Sequence, residues 1–278
     1  APSPEQVLER LLKAPLSARE QSTQAAMALA RLKGFLTHHA LFPELPQVDP
    51  VYQPASLLAA AARIPLCILP GPLAPQAGRP VWLAITGTAP VAFSPSPWER
   101  TQAGVELRVI RELLPGRYYL ERQLATSPRT LAKAIPCPAT VAGWSSYVQV
   151  TLLNSGYASG DQTLVLLALR SQMLEDARWS AALDYHGSTR SLSELTEWFE
   201  VSVGLAPDEA RRQALEVAMD YSASAPGLGR ALIERARERY LRRGDRSVLD
   251  FHREFLRHAV LPVGLIEGLL LQQDGSGR

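Results

Sequence analysis

Lysine is nearly absent from this chain of 278 residues: Lys13, Lys33 and Lys133 stand against 26 arginines. Coding bias is a sufficient cause for that skew, and an arginine surface with a function is the alternative. An excess of either charge is lacking too. The net charge of +2 gives no field that would draw in nucleic acid or an acidic membrane surface. No run of about 18 apolar residues exists, which excludes a membrane-spanning helix. Residues 1–6, Ala-Pro-Ser-Pro-Glu-Gln, lack the apolar stretch of a signal peptide and read as a processed or arbitrary terminus. The two cysteines, Cys67 and Cys137, form no CxxC pattern and leave pairing and compartment open. The five histidines (His38, His39, His186, His252, His258) form no HExxH pattern.

What is present is mostly helical periodicity. Ala25, Leu29, Leu32 and Leu36 recur at spacings of four, three and four, which predicts an amphipathic helix over 17–40. Pro43, Pro46, Pro50 and Pro54 then force an irregular connection, followed by a short helix over 54–63. The apolar, β-branched runs Ile64–Leu69 and Val81–Thr86, bounded by Pro70-Gly71-Pro72 and Gly87, read as strands. Ser96-Pro97-Trp98-Glu99 has the form of a capping box and predicts that helix resumes there. Further helices fit 138–156, 160–184, 191–203, 207–221, 228–243, 247–258 and 262–271. Ser191 with Glu194, and Ser247 with Asp250, repeat the capping spacing. The expected fold is mainly α with a small β-sheet, one domain over 1–278: helical over 1–63, strands within 64–93, helical over 96–271.

One segment breaks its own pattern. An apolar helix runs into Arg111-Glu112, then Pro115-Gly116, then Arg117-Tyr118. Proline costs roughly 3 kcal/mol and glycine about 1 inside a helix, so this backbone has a specific use. Further on come Ala142-Gly143-Trp144-Ser145-Ser146-Tyr147-Val148-Gln149, then Arg178 and His186, then Asp220-Tyr221 and Pro226-Gly227-Leu228-Gly229-Arg230-Ala231-Leu232. Phe251-His252-Arg253, Leu261-Pro262 and Leu265-Ile266-Glu267 close the series.

In order and spacing these pieces resemble the bacterial domain-of-unknown-function family 885, relatives of the gluzincin zinc peptidases. That family reads H-E-x-x-P-G-H-H, then E-G-W-A-x-Y-x-E, then an arginine followed by a histidine, then P-G-Q-A-x-S-Y. The resemblance spans roughly residues 17–270 and corresponds to the C-terminal, catalytic half of the family. It implies a gluzincin-type helical fold. It also implies that Arg111, Arg117, Tyr118 and Ala142 stand where the family has metal ligands, with Glu112 at the general-base position. Leu228 and Leu232 stand where it has a polar glutamine and tyrosine. Arginine has no lone pair to offer Zn²⁺, so the resemblance implies a pseudoenzyme that binds no metal and no cofactor.

Each of these residues also has a plainer reading. Arg111 and Arg117 are either ion-paired surface residues or guanidinium groups filling the vacated metal cavity and neutralising Glu112. Adjacent helix residues do not face each other, so Arg117 or a distant arginine is the expected partner of Glu112. His186 is either hydrogen-bonded within the helical core or a relocated ligand acting with Glu175 or Asp184. Trp144 and Tyr147 are core packing or a platform for a ligand. Three functions follow: a non-catalytic pseudopeptidase acting as a structural or regulatory subunit, a module binding a peptide carboxylate in an arginine-lined groove, or a hydrolase with relocated ligands. The first implies a protein partner, which is a second copy, an active paralogue, or a chain supplying the family's N-terminal half. That partner would cover the side formed by residues 17–40 and 64–93.

Overall fold

The computed structural model describes residues 15–56, 67–70, 79–86, 97–128, 133, 136–259 and 261–272. The fold is mainly helical with one small sheet. Helix α1 (Ala18–His39) starts at Ser17, whose hydroxyl accepts from the Glu20 N–H while the Glu20 carboxylate accepts from the Ser17 N–H at 2.7 Å. Its buried face includes Ala25, Leu29, Leu32 and Leu36, the stripe the spacing predicts.

Three strands follow: β1 (Val51–Ser56), β2 (Cys67–Ile68) and β3 (Val81–Thr86). Their order is β1-β3-β2, with β1 parallel and β2 antiparallel to β3. The bounds of β3 match the sequence reading, but β1 occupies residues expected to be irregular connection and the start of a helix. The pairing of Val51–Ser56 with Val81–Thr86 overrides the proline signal. Pro54 is tolerated because β1 is an edge strand, where one side of the backbone makes no ladder bonds. The rest of the expected helix over 54–63 and of the strand over 64–69 falls mostly outside the described residues, as does the expected cap Ser96.

Pro97–Arg100 is a 3₁₀ turn, and helix α2 (Gln102–Glu112) begins only after it. Thr101 is the cap, its Oγ1 accepting from the Gly104 N–H at 3.1 Å. Helices α3 (Arg117–Thr126), α4 (Pro138–Asn154), α5 (Gln162–His186), α6 (Leu192–Val201) and α7 (Pro207–Met219) come next. A second 3₁₀ turn (Tyr221–Ser224) leads into α8 (Ala225–Leu241), α9 (Val248–Arg257) and α10 (Val263–Gln272). Capping boxes close at Ser191/Glu194 and Ser247/Asp250. Cys67 and Cys137 are free thiols, and burial pushes the Cys67 thiol up to about 12.

Two buried clusters organise the packing. The larger gathers α1 to α4, α8, α9 and α10 around Trp144, Tyr147, Phe251 and Phe255, all fully buried. The smaller joins the C-terminal half of α5 to α6 and α7 through Leu195, Phe199 and alanines. Helices α4 and α8 cross at Gly143 and Gly229. A Cβ on Gly229 would overlap the Ala139 carbonyl oxygen, and one on Gly143 would overlap the Gly229 backbone. That contact lets two backbones meet and carries the N-terminal ends of both helices to one place.

Candidate functional site

The helix expected to run through Pro115 is instead two helices. Leu113 leaves helical geometry at φ −107° and ψ −88°, the Leu114–Pro115 bond is cis, and helix restarts at Arg117. Proline lacks the N–H a continuing helix needs. Helix α4 holds the break in place: the Trp144 indole N–H donates to the Pro115 carbonyl at 2.8 Å, and Ser145 Oγ donates to the Arg111 carbonyl at 3.1 Å. A Cβ on Gly116 would overlap the carbonyl oxygens of Arg111 and Ile110, so only glycine closes this turn. The Arg111-to-Tyr118 segment and the Ala142-to-Gln149 segment, far apart in sequence, are thereby fastened together.

Arg111 points from the end of α2 to α4 and α5. Its guanidinium forms an ion pair with Glu175 and donates to Gln149 Oε1 and Ser171 Oγ, both at 3.3 Å. Glu175 also accepts from the Ser146 hydroxyl, and its side chain is 4% exposed. A buried carboxylate is thus matched by one cation and one hydroxyl. Glu112 was expected to pair with Arg117 or a distant arginine, and the structure gives Arg117 a different partner. Arg111 pairs with Glu175, and Arg117 pairs with Glu121 one turn along α3, at 2.8 Å. The break at residues 113–116 starts a new helix, so Arg117 follows the register of α3 rather than that of α2. Glu112 is half-buried and makes no hydrogen bond or ion pair among the described residues.

Two cavities adjoin this clamp and share Arg178 and Glu216. One, of about 810 Å³, is bordered by Arg117, Glu121, Lys133, Ala142, Asp220 and Pro226. The other, of about 360 Å³, lies between the first 3₁₀ turn, α2, α5 and α7 and contains Arg108, Arg111 and Glu112 in its wall. Arg178 is fixed by Gln213 Oε1 at 2.6 Å and by Glu216 at 3.5 Å. Burial pushes the Arg108 guanidinium down, to about 10, so it is still a cation at neutral pH.

Other expected site residues lie elsewhere. His186 is exposed at the C-terminal end of α5, its Nε2 within 3.1 Å of the Val217 carbonyl, and neither cavity includes it. Neither expected co-ligand stands with it: Glu175 belongs to Arg111, and Asp184 pairs with Arg190 at 3.2 Å. Tyr221 is 76% exposed. Leu228 is half-buried, and Leu232 packs against the larger core. Tyr118 is buried. Tyr147 is core, its hydroxyl 2.8 Å from His252 Nε2. His252 Nδ1 lies 2.7 Å from the Leu41 carbonyl and so must donate to it, which leaves Nε2 to accept from Tyr147. Burial pushes His252 down to about 3, and the neutral ring stacks on Phe42.

The residues that sequence reasoning missed are Ser146, Gln149, Ser171 and Arg108. Ser146 and Gln149 sit three residues apart on one face of α4, a polar pair that could have been noticed. Arg108 gave no such signal. At the positions the resemblance assigns to a metal, the groups are two guanidiniums, a phenol and a methyl, a set that does not fit Zn²⁺. Among the described residues no cluster of three or more His, Cys, Asp and Glu side chains is arranged to hold a metal ion.

No protein-family profile matches this chain, and no curated protein matches it. Its fold is similar to a candidate lipoprotein of unknown function from Shewanella oneidensis, with a TM-score of 0.80 and 18% identity over 96% of this chain and 48% of that one. A candidate lipoprotein from Colwellia psychrerythraea gives a TM-score of 0.74 and 15% identity over 93% of this chain and 43% of that one. The chain therefore spans about half the length of the structures it matches, and the likeness is one of fold alone.

Proposed function

We propose that this chain is a non-catalytic pseudopeptidase with a gluzincin-like helical fold, related to domain-of-unknown-function family 885, which acts by binding as a structural or regulatory subunit. The observation that carries this reading is the ion pair of Arg111 with Glu175. A guanidinium, buttressed by Gln149 and Ser171, fills the place the resemblance gives to a metal ligand. A fixed cation there repels a dication, and without a metal to lower the pKa of a bound water from about 15.7 towards 7 a carboxylate such as Glu112 would have nothing useful to deprotonate.

The adjoining groove of about 810 Å³ gives a second reading, a site for a peptide carboxylate: Lys133 borders it with Arg117 and Arg178, which would exchange their partners Glu121 and Glu216 for the ligand. Metal content and gain of metal test the first reading. The purified chain is expected to hold less than about 0.1 equivalent of zinc. Arg111→His, Arg117→His and Ala142→Glu together are expected to take up zinc with little peptide hydrolysis, because Leu228 and Leu232 still offer no polar contact. Stoichiometric zinc in the unmodified chain, or rapid peptide hydrolysis by it, would remove the pseudopeptidase reading. A folded triple variant that takes up no zinc would remove the resemblance behind it.

A further inference from the structure

The smaller cavity contains charges that the clamp does not use. Two of its ion pairs are internal, Arg111 with Glu175 and Arg178 with Glu216. Arg108 and Glu112 are not so engaged. They stand one turn apart on the same face of α2, the spacing at which arginine and glutamate ordinarily pair. Here they do not, because Arg108 turns away to lie 3.9 Å over the Trp82 ring and to donate from Nη2 to the Leu83 carbonyl at 3.1 Å.

Arg108 is only 8% exposed, and its Nε and Nη1 have no hydrogen-bond partner. The indole N–H of Trp98, in the same cavity wall, is likewise buried without a partner. Buried donors are normally satisfied, so two unsatisfied donor groups in one wall call for an acceptor. Glu112, in the same wall, accepts no hydrogen bond among the described residues. Glu99 belongs to the same wall, and burial pushes its carboxyl up while Arg108 opposes that shift. The rest of the wall includes Leu107, Leu174 and the Trp98 ring, so it is apolar between the charges.

We propose that this cavity binds the zwitterion of a free apolar α-amino acid, its carboxylate on Arg108 and the Trp98 indole N–H and its ammonium on Glu112. Arg108 and Glu112 are of opposite sign, so a ligand with two poles compensates both, whereas a bare anion or cation leaves one of them uncompensated. The cavity volume of about 360 Å³ lies at the small end of the range for ligand sites and suits one amino acid. The inference goes beyond the readings above: it concerns the smaller cavity and not the groove of the carboxylate reading.

The test is isothermal titration of the full chain with leucine and with phenylalanine, beside N-acetyl-leucine and leucinamide. Binding of the free amino acids is expected, at least 10-fold weaker for the N-acetyl form, which lacks the ammonium, and for the amide, which lacks the carboxylate. Glu112→Gln is expected to weaken leucine at least 10-fold and to leave N-acetyl-leucine unchanged, while Trp98→Phe weakens both. Because Arg108 also anchors β3, the Glu112 and Trp98 variants carry the test without it. No binding at millimolar leucine, equal binding of N-acetyl-leucine, or an unchanged Glu112→Gln variant would overturn the assignment. Zinc uptake by the triple histidine and glutamate variant beside any of those results would leave the pseudopeptidase reading standing.

Discussion

At the scale of single residues, charge pairs bear most of the argument. Glu175 is buried and depends on Arg111 and Ser146 for compensation. Removing one partner of a buried pair leaves a bare charge and costs about 3–5 kcal/mol. Arg111→Ala is therefore expected to lower the unfolding free energy from urea titration by that order, and adding Glu175→Gln is expected to recover part of the loss. No recovery would mean that the two side chains are not coupled. His252 supplies a pH dependence. Its pKa falls from 6.5 to about 3 on folding, so the unfolded chain binds the extra proton between those values. Its contribution is complete above about pH 6.5 and is lost progressively as the pH falls towards 3, at up to ~1.4 kcal/mol per pH unit. Urea titrations of His252→Gln between pH 7 and 4 should show a shallower acid slope than the parent. Equal slopes would mean that other groups carry the acid sensitivity.

Between elements, the decisive contact is the crossing of α4 and α8. Added methylenes in a filled contact cost about 1–3 kcal/mol, and backbone has less room to yield than a side chain. Gly229→Ala is expected to destabilise by at least about 2 kcal/mol on that basis. Gly268→Ala, within α10 and with nothing in contact distance of the added methyl, should instead stabilise by up to about 1 kcal/mol. Thermal melts of the two variants separate a packing effect from helix propensity, and a loss of the same size in both would contradict the crossing. Helices were the legible elements. Capping residues such as Ser191 and Ser247 and the spacing of apolar residues are local signals, and α1 and α4 to α10 fall close to where those signals put them. Strand β1 was not legible, since nothing local distinguishes an edge strand that contains proline from a proline-rich connection.

Across the whole molecule, the two cores differ in size. The cluster of α5, α6 and α7 is small and alanine-rich, and regions with less buried apolar area open at lower free energy. Amides in 192–219 are expected to exchange through a partial opening that spares α4 and α8; uniform protection across both clusters would show a single cooperative unit. Exposed apolar residues bear on the subunit reading. Val165, Leu169 and Met173 form an exposed stripe along α5, while Met27 and Ile68 lie on the side where a partner was expected. Light scattering at micromolar concentration tests self-association. A monomer under those conditions would remove the second copy as the partner.

The sequence by itself determined the helices, their caps and the presence of non-ligand side chains, two arginines and an alanine, at positions 111, 117 and 142. Those features depend on local periodicity and on side-chain chemistry, which are present before folding. Only the tertiary structure decided the partners. Arg111 takes Glu175 because α5 passes beside the end of α2. Arg117 takes Glu121 because helix restarts there with a new register, and Arg108 takes Trp82 because β3 brings that ring and the Leu83 carbonyl within its reach. Which charges meet, and which are left facing a cavity, depends on the packing of distant segments, and that carries no local signature in the chain.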